Sequence, residues 1–189
     1  MILLLSTAAN IAGQTDERGI YEPWDVVLGI IGGVFYSLNP TFGLTTEIIL
    51  FGHPLGNTLR VDYGVAARGV YSFYDSGLGW GWSALSGGST ASIHLSFPRE
   101  SQTNGPLGSS EAEWMALTDI NLLLGVDVEY YLPFGDWERY NLSFESLRVG
   151  IVAVLGLNLF LSEMFAVRVE GGLWGELSPG GSIGALLRL

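Results

Sequence analysis

The chain has 189 residues, ample for one domain and tight for two. It is 48% hydrophobic and 14% charged, with 27 Gly, no Lys and no Cys. A soluble domain carries about 25% charged residues, so a water-facing exterior is hard to build here, and the net charge of -11 argues against polyanionic partners such as nucleic acid, which need clustered Lys and Arg.

The absence of Cys excludes disulfide scaffolds and cysteine-ligated zinc or iron–sulfur centres. Met1 to Ala12 is an apolar run followed by small residues, which reads as the back half of a secretory signal peptide lacking its basic start. An acidic linker follows, so residues 1–22 are assigned to a residual signal peptide and linker and residues 23–189 to a single domain. From Trp24 to Leu38 the sequence is apolar on both parities and rich in Gly, leaving strand and buried helix open. From Phe42 the period becomes two, with Phe42, Leu44, Thr46, Ile48 and Leu50 alternating against Gly43, Thr45, Glu47 and Ile49. His53-Pro54-Leu55-Gly56-Asn57 reads as a turn.

A strand over Thr58 to Phe73 carries Leu59, Val61, Tyr63 and Val65 against Arg60, Asp62 and Gly64, and Tyr74-Asp75-Ser76-Gly77 closes it. The return from Leu78 to Phe97 contains Gly87-Gly88, a bulge or a turn, and that choice controls the strand count. Pro98 to Ser110 is a polar loop. Glu113 to Leu132 alternates again, and Pro133 to Tyr140 forms a polar-aromatic loop. The clearest signal is the stretch from Leu147 to Glu176: apolar residues hold every second position from Leu147 to Leu159, break at Ser162-Glu163-Met164, and resume with Phe165, Val167 and Val169. Strict alternation places all those side chains on one face of a pleated strand, so this is an antiparallel hairpin. Ser182 to Leu189 supplies the last strand.

With Gly87-Gly88 as a bulge the count is eight long strands joined mostly by short turns, the pattern of an all-β, up-and-down antiparallel barrel. Charge placement decides which face points inward. Glu47, Arg60, Asp62, Arg68, Asp119, Asp127, Glu129, Arg148, Arg168 and Glu170 all lie on the parity filled with Gly, Ala and Ser, and the opposite parity of those strands is uncharged. A small barrel is just wide enough to be packed with side chains, so small residues with charges of both signs suit a paired polar interior. The apolar parity then faces lipid. A soluble, calycin-like lipid-binding barrel, with the same alternation inverted, is the alternative that this pattern disfavours. Aromatic residues near the strand ends, Trp80, Trp82, Trp114, Tyr130 and Trp174 among them, read as a membrane-interface girdle.

These features resemble the small outer-membrane β-barrel families of the OmpA transmembrane domain, OmpX and OmpW type. The most specific part is Gly156-Leu157-Asn158-Leu159-Phe160-Leu161-Ser162-Glu163-Met164-Phe165-Ala166-Val167-Arg168-Val169-Glu170, similar to the tight periplasmic turn before the penultimate strand. The C-terminal Ser182 to Leu189 resembles the insertion signal of such barrels, although Leu189 replaces the usual terminal aromatic, and the loop from Pro98 falls on the side where these families keep turns short. The resemblance implies outer-membrane localisation, outer-membrane lipid and the insertion machinery as partners, and a structural or surface role that is adhesive or envelope-stabilising. It also admits an OmpW-like narrow porter for a small hydrophobic molecule.

No enzyme and no cofactor is expected. Gly180-Gly181-Ser182-Ile183-Gly184 matches a nucleophile elbow in letters only, because both His residues lie upstream and no helix can follow it. His94 shares its parity with Ser92 and Ser96 and is expected to be a satisfied interior histidine. No metal-ligand spacing or phosphate-binding loop occurs.

Overall fold

The computed structural model describes residues 20–35, 39–56, 59–97, 118–137, 146–175 and 178–189. Eight strands run in chain order: β1 Val26–Phe35, β2 Asn39–Leu55, β3 Leu59–Asp75, β4 Trp80–Ser96, β5 Thr118–Gly135, β6 Leu147–Phe160, β7 Phe165–Trp174 and β8 Ser178–Arg188. Each pairs antiparallel with its sequence neighbour, and β1 pairs with β8, so the sheet closes without a free edge. Closure matters for a chain whose exterior is apolar, because a strand edge facing hydrocarbon would leave its amides and carbonyls unsatisfied.

The stretch left ambiguous between strand and helix is β1. Gly87-Gly88 is neither bulge nor turn: β4 runs unbroken from Trp80 to Ser96, with Gly87 opposite Gly69 and Gly88 opposite Arg68. Among the described residues the register shifts instead in β2, between Ile49 and Phe51. The turn expected at His53 to Asn57 begins later, since β2 extends to Leu55. The eight-strand count therefore holds, with the bulge two strands earlier.

The two parities face two media. Outward-facing Ile30, Leu44, Val149 and Leu155 are each 60% exposed or more. Inward-facing Glu47, Asp62, His94, Asp119, Asn158 and Arg168 are each exposed by 1% or less. A soluble fold has the reverse distribution. Inward-facing glycine lets neighbouring strands approach: a Cβ on Gly125 would overlap the Ser89 carbonyl, and one on Gly172 the Ala153 carbonyl.

The lumen is layered from the end at which β1 begins and β8 ends. Val27, Ile49, Phe160, Ala166 and Leu186 pack around Tyr21 as an apolar cap. Ala66, Leu123, Val152, Val154 and Trp174 form a second apolar cluster deeper in. Between and beyond these clusters lie the charged side chains. Ile20 to Glu22, read from sequence as the end of a linker, and the residues that follow are tied to the barrel: Arg188 donates to the Ile20 carbonyl, Trp24 N donates to Ile49 O at 2.6 Å, and Tyr21 points into the barrel at 1% exposure, while Trp24 stays exposed.

Candidate functional site

The strongest concentration of chemistry is a closed ring of polar side chains across the terminal half of the lumen. Arg168 on β7 donates from Nε to Asn158 Oδ1 on β6 at 2.8 Å. Asn158 Nδ2 donates to Asp119 Oδ2 on β5 at 2.6 Å. That oxygen also faces His94 Nδ1 on β4 at 2.7 Å, while His94 Nε2 faces Glu47 Oε1 on β2 at 2.7 Å. The circuit closes where Arg168 Nη2 meets Glu47 Oε2 at 3.4 Å. Tyr21 caps it, donating its hydroxyl to Asp119 Oδ2 at 2.9 Å and standing edge-on to the His94 ring at a centroid distance of 4.8 Å.

The local reason for the ring is pleat and register. Asp119 and Asn158 are direct cross-strand partners, as are Asn158 and Arg168, so three inward positions on β5, β6 and β7 fall side by side. His94 stands opposite Asn121 and Asp62, which bring β5 and β3 to the same level. Both imidazole nitrogens face carboxylate oxygens, and a neutral ring has only one N–H to donate, so this geometry is satisfied by the imidazolium. The ring then contains two cations, Arg168 and His94, and two carboxylates, Glu47 and Asp119, balanced as buried charges must be. Beside it Arg60 Nε pairs with Asp62 Oδ1 at 2.8 Å.

A second group occupies the far half. Arg68 Nη2 lies 2.8 Å from both carboxylate oxygens of Glu170, and its guanidinium sits 5.1 Å from the centre of the Trp174 ring. Ser182 donates to Glu170 at 2.6 Å. Arg148 stacks 4.8 Å over Tyr131, whose hydroxyl donates to Glu129 at 3.0 Å.

The structure thus places Glu47, Arg60, Asp62, Arg68, Asp119, Asp127, Glu129, Arg148, Arg168 and Glu170 on the lumen side, but divides them. Glu47, Asp119 and Arg168 join the ring, while Arg68 and Glu170 belong to the far group. Of the girdle residues, Tyr130 lies on the lipid face, and Trp114 lies outside the described residues. Trp174 does not face lipid. It is 4% exposed and packs in the inner apolar cluster. Trp80 and Trp82 share the inward parity of β4, and they cluster at the far mouth with Tyr74, Tyr131 and Trp137. Alternation over-runs the bilayer here, so a ring near a strand end faces the mouth as readily as the membrane. Outward at the same rim, Phe73 and Phe134 stack at 5.5 Å and Tyr71 is exposed.

Sequence reasoning missed Tyr21, Asn158 and Ser182 as parts of these networks. Asn158 and Ser182 carried the right parity but no charge. Tyr21 precedes the first strand, where alternation gives no direction.

What the ring can do chemically is limited. His94 has both nitrogens engaged and is 0% exposed, and Ser92 and Ser96 are buried beside it. Among the described residues, no group of three or more His, Asp or Glu is arranged to hold a metal ion.

No protein-family model matches the chain, and no curated protein is similar to it in sequence. Solved structures do share its architecture. It superposes on Ail, the attachment invasion locus protein of Yersinia pestis, with a TM-score of 0.51 at 10% identity, covering 89% of this chain and 100% of that one. The outer-membrane enzyme PagL gives a TM-score of 0.48 at 16% identity, covering 86% of this chain and 98% of that one. The N-terminal β-barrel domain of Pseudomonas aeruginosa OprF gives 0.42 at 13%, covering 88% and 98%. At such identities the likeness concerns the fold, and with the apolar exterior and charged lumen it leads to one statement: the chain folds as an eight-stranded antiparallel transmembrane β-barrel, the architecture it shares with small outer-membrane barrels.

Proposed function

We propose that this barrel serves the outer membrane as a non-conducting, non-enzymatic structural or surface protein. The observation that supports this most is the filling of its lumen. Among the described residues two apolar clusters alternate with paired charges across the interior. A narrow porter for small hydrophobic molecules fits this interior less well, because any path would have to break the Arg168 ring and the Arg68–Glu170 pair. A catalytic role finds little support, since His94 is sealed from solvent and from lipid.

In this reading the termini face the periplasm, and the rim of Trp80, Trp82 and Trp137 faces outward. β8, with Leu187 outward and Arg188 inward, is the strand offered to the insertion machinery. The test is reconstitution into planar bilayers alongside a heat-modifiability gel in detergent. A folded, heat-modifiable barrel with no steady conductance above the bare bilayer agrees with the proposal; a stable single-channel conductance refutes it. Comparing envelope permeability and cell adhesion between expressing and deleted strains then separates a stabilising from an adhesive role.

A further inference from the structure

The chain enters β1 through a turn whose residues do not suit its backbone. Glu22-Pro23-Trp24-Asp25 is closed by the Asp25 amide donating to the Glu22 carbonyl at 3.1 Å and by the Glu22 amide donating to the Asp25 carboxylate at 2.8 Å. Proline at the second position and a φ of 76° at Trp24 make it a type II turn, whose third position belongs to Gly or Asn. Trp24 is the one non-glycine residue with positive φ among the described residues, and an indole enters that region against steric resistance. Backbone strain of this kind persists where the surroundings enforce it, and it clusters at functional positions. Here the surroundings do enforce it. Trp24 N donates to Ile49 O at 2.6 Å, and Arg188 on β8 grips both sides of the turn, through the Ile20 carbonyl and through Asp25 Oδ2, 3.7 Å from its Nε.

The turn sends two aromatic rings to two places. Tyr21 lies in the lumen, edge-on to His94 and packed on Phe160, while Trp24 is 71% exposed and spends little of its indole on the barrel. On the strand that Trp24 bonds, the register shift after Ile49 leaves Phe51 exposed, and Phe51 stacks at 5.0 Å on Tyr63, which stacks at 5.7 Å on His53. Trp24 therefore continues the lipid face of β1, β2 and β3 at the end where β1 begins, a depth at which an amphipathic ring is favoured among headgroups. Glycine would make the same turn without strain, so the indole has a use that repays the strain. We propose that this turn is a lipid-anchored clasp: the Trp24 indole docks in the headgroup layer of the bilayer and thereby holds Tyr21 over the His94 ring, sealing that end of the lumen against water. Tyr21 can act as the seal because Val27, Ile49, Phe160, Ala166 and Leu186 close around it.

The test uses the full chain in phosphatidylcholine nanodiscs, with every tryptophan replaced by fluorotryptophan. The fluorine NMR signal that is missing in Trp24→Phe belongs to Trp24. A spin label on the lipid headgroup should broaden it more than a label at the end of the acyl chain or a water-soluble gadolinium chelate does. Strongest broadening by either of the other two overturns the proposal. The second readout is exchange of the His94 ring N–H protons with water. Trp24→Gly relaxes the turn and removes the anchor, and should speed that exchange about tenfold or more by letting the clasp open. Tyr21→Ala, which removes the seal itself, should do the same. Were Trp24 only a strained residue, glycine would tighten the turn and leave exchange slow, so unchanged or slower exchange in either folded, heat-modifiable variant overturns the clasp. If neither variant folds, the headgroup broadening in the parent chain decides alone.

Discussion

Replacing Arg168 by Met tests whether the lumen ring holds the barrel together. Arg168 is 1% exposed and is the partner that links Asn158 to Glu47. Met keeps much of its volume and removes its charge and donors, leaving His94 as the cation that faces Glu47. Breaking one partner out of a buried ion pair costs about 3–5 kcal/mol, because an uncompensated charge stays behind. The assay is urea unfolding in lipid vesicles, followed by tryptophan fluorescence and by the heat-modified gel band. Arg168→Met should therefore lose about 3–5 kcal/mol. Glu47→Gln in the same background should cost less than it does alone, with a coupling of about 2–3 kcal/mol between the two sites. A loss below about 1 kcal/mol for Arg168→Met, or strictly additive effects, would refute the idea that the ring acts as one unit.

Other expectations follow from the remaining features. Tyr21→Phe removes a hydrogen bond to a charged acceptor and should cost about 1.5–3 kcal/mol in the same unfolding assay, whereas Glu22→Ala nearby should be close to neutral. Leu155→Arg, on the lipid face in the middle of β6, should destabilise by about 2–4 kcal/mol in bilayers; equal stability there would overturn the assignment of faces. Gly69→Ala has open space around the new methyl and should be neutral or stabilising by up to about 1 kcal/mol. Gly125→Ala meets the Ser89 carbonyl and should lower the yield of heat-modifiable barrel sharply.

Much of the architecture was legible because a closed barrel writes itself into the sequence twice. Alternation marks the strands, and restricting charge to one parity marks the lumen. Both signals are local, so β6 and β7 could be read almost residue by residue. The bulge was not legible: Gly87-Gly88 looked like an irregularity, yet Gly69 and Gly87 simply face each other across β3 and β4 with free space outward, and the actual shift falls among Ile49, Leu50 and Phe51, where nothing in the composition marks it. The girdle was legible only in part, since parity, and not residue type, sends Trp174 inward and Tyr130 outward. The ring itself depends on which inward side chains meet across the lumen. Glu47 and Arg168 lie 121 residues apart, and that pairing is a property of closure.

The order in which the ring's members occur along the chain bears on assembly. Glu47, His94 and Asp119 come from β2, β4 and β5, and the circuit's guanidinium, its one permanent cation, arrives only with β7. A half-built sheet therefore presents two carboxylates against one imidazole, a charge surplus that hydrocarbon will not accept. Such an intermediate should stay hydrated at the membrane surface until its last quarter has been added. Commitment to the bilayer then becomes nearly all-or-none, and a chain truncated before Arg168 should accumulate as a peripheral, protease-sensitive species instead of an inserted partial barrel.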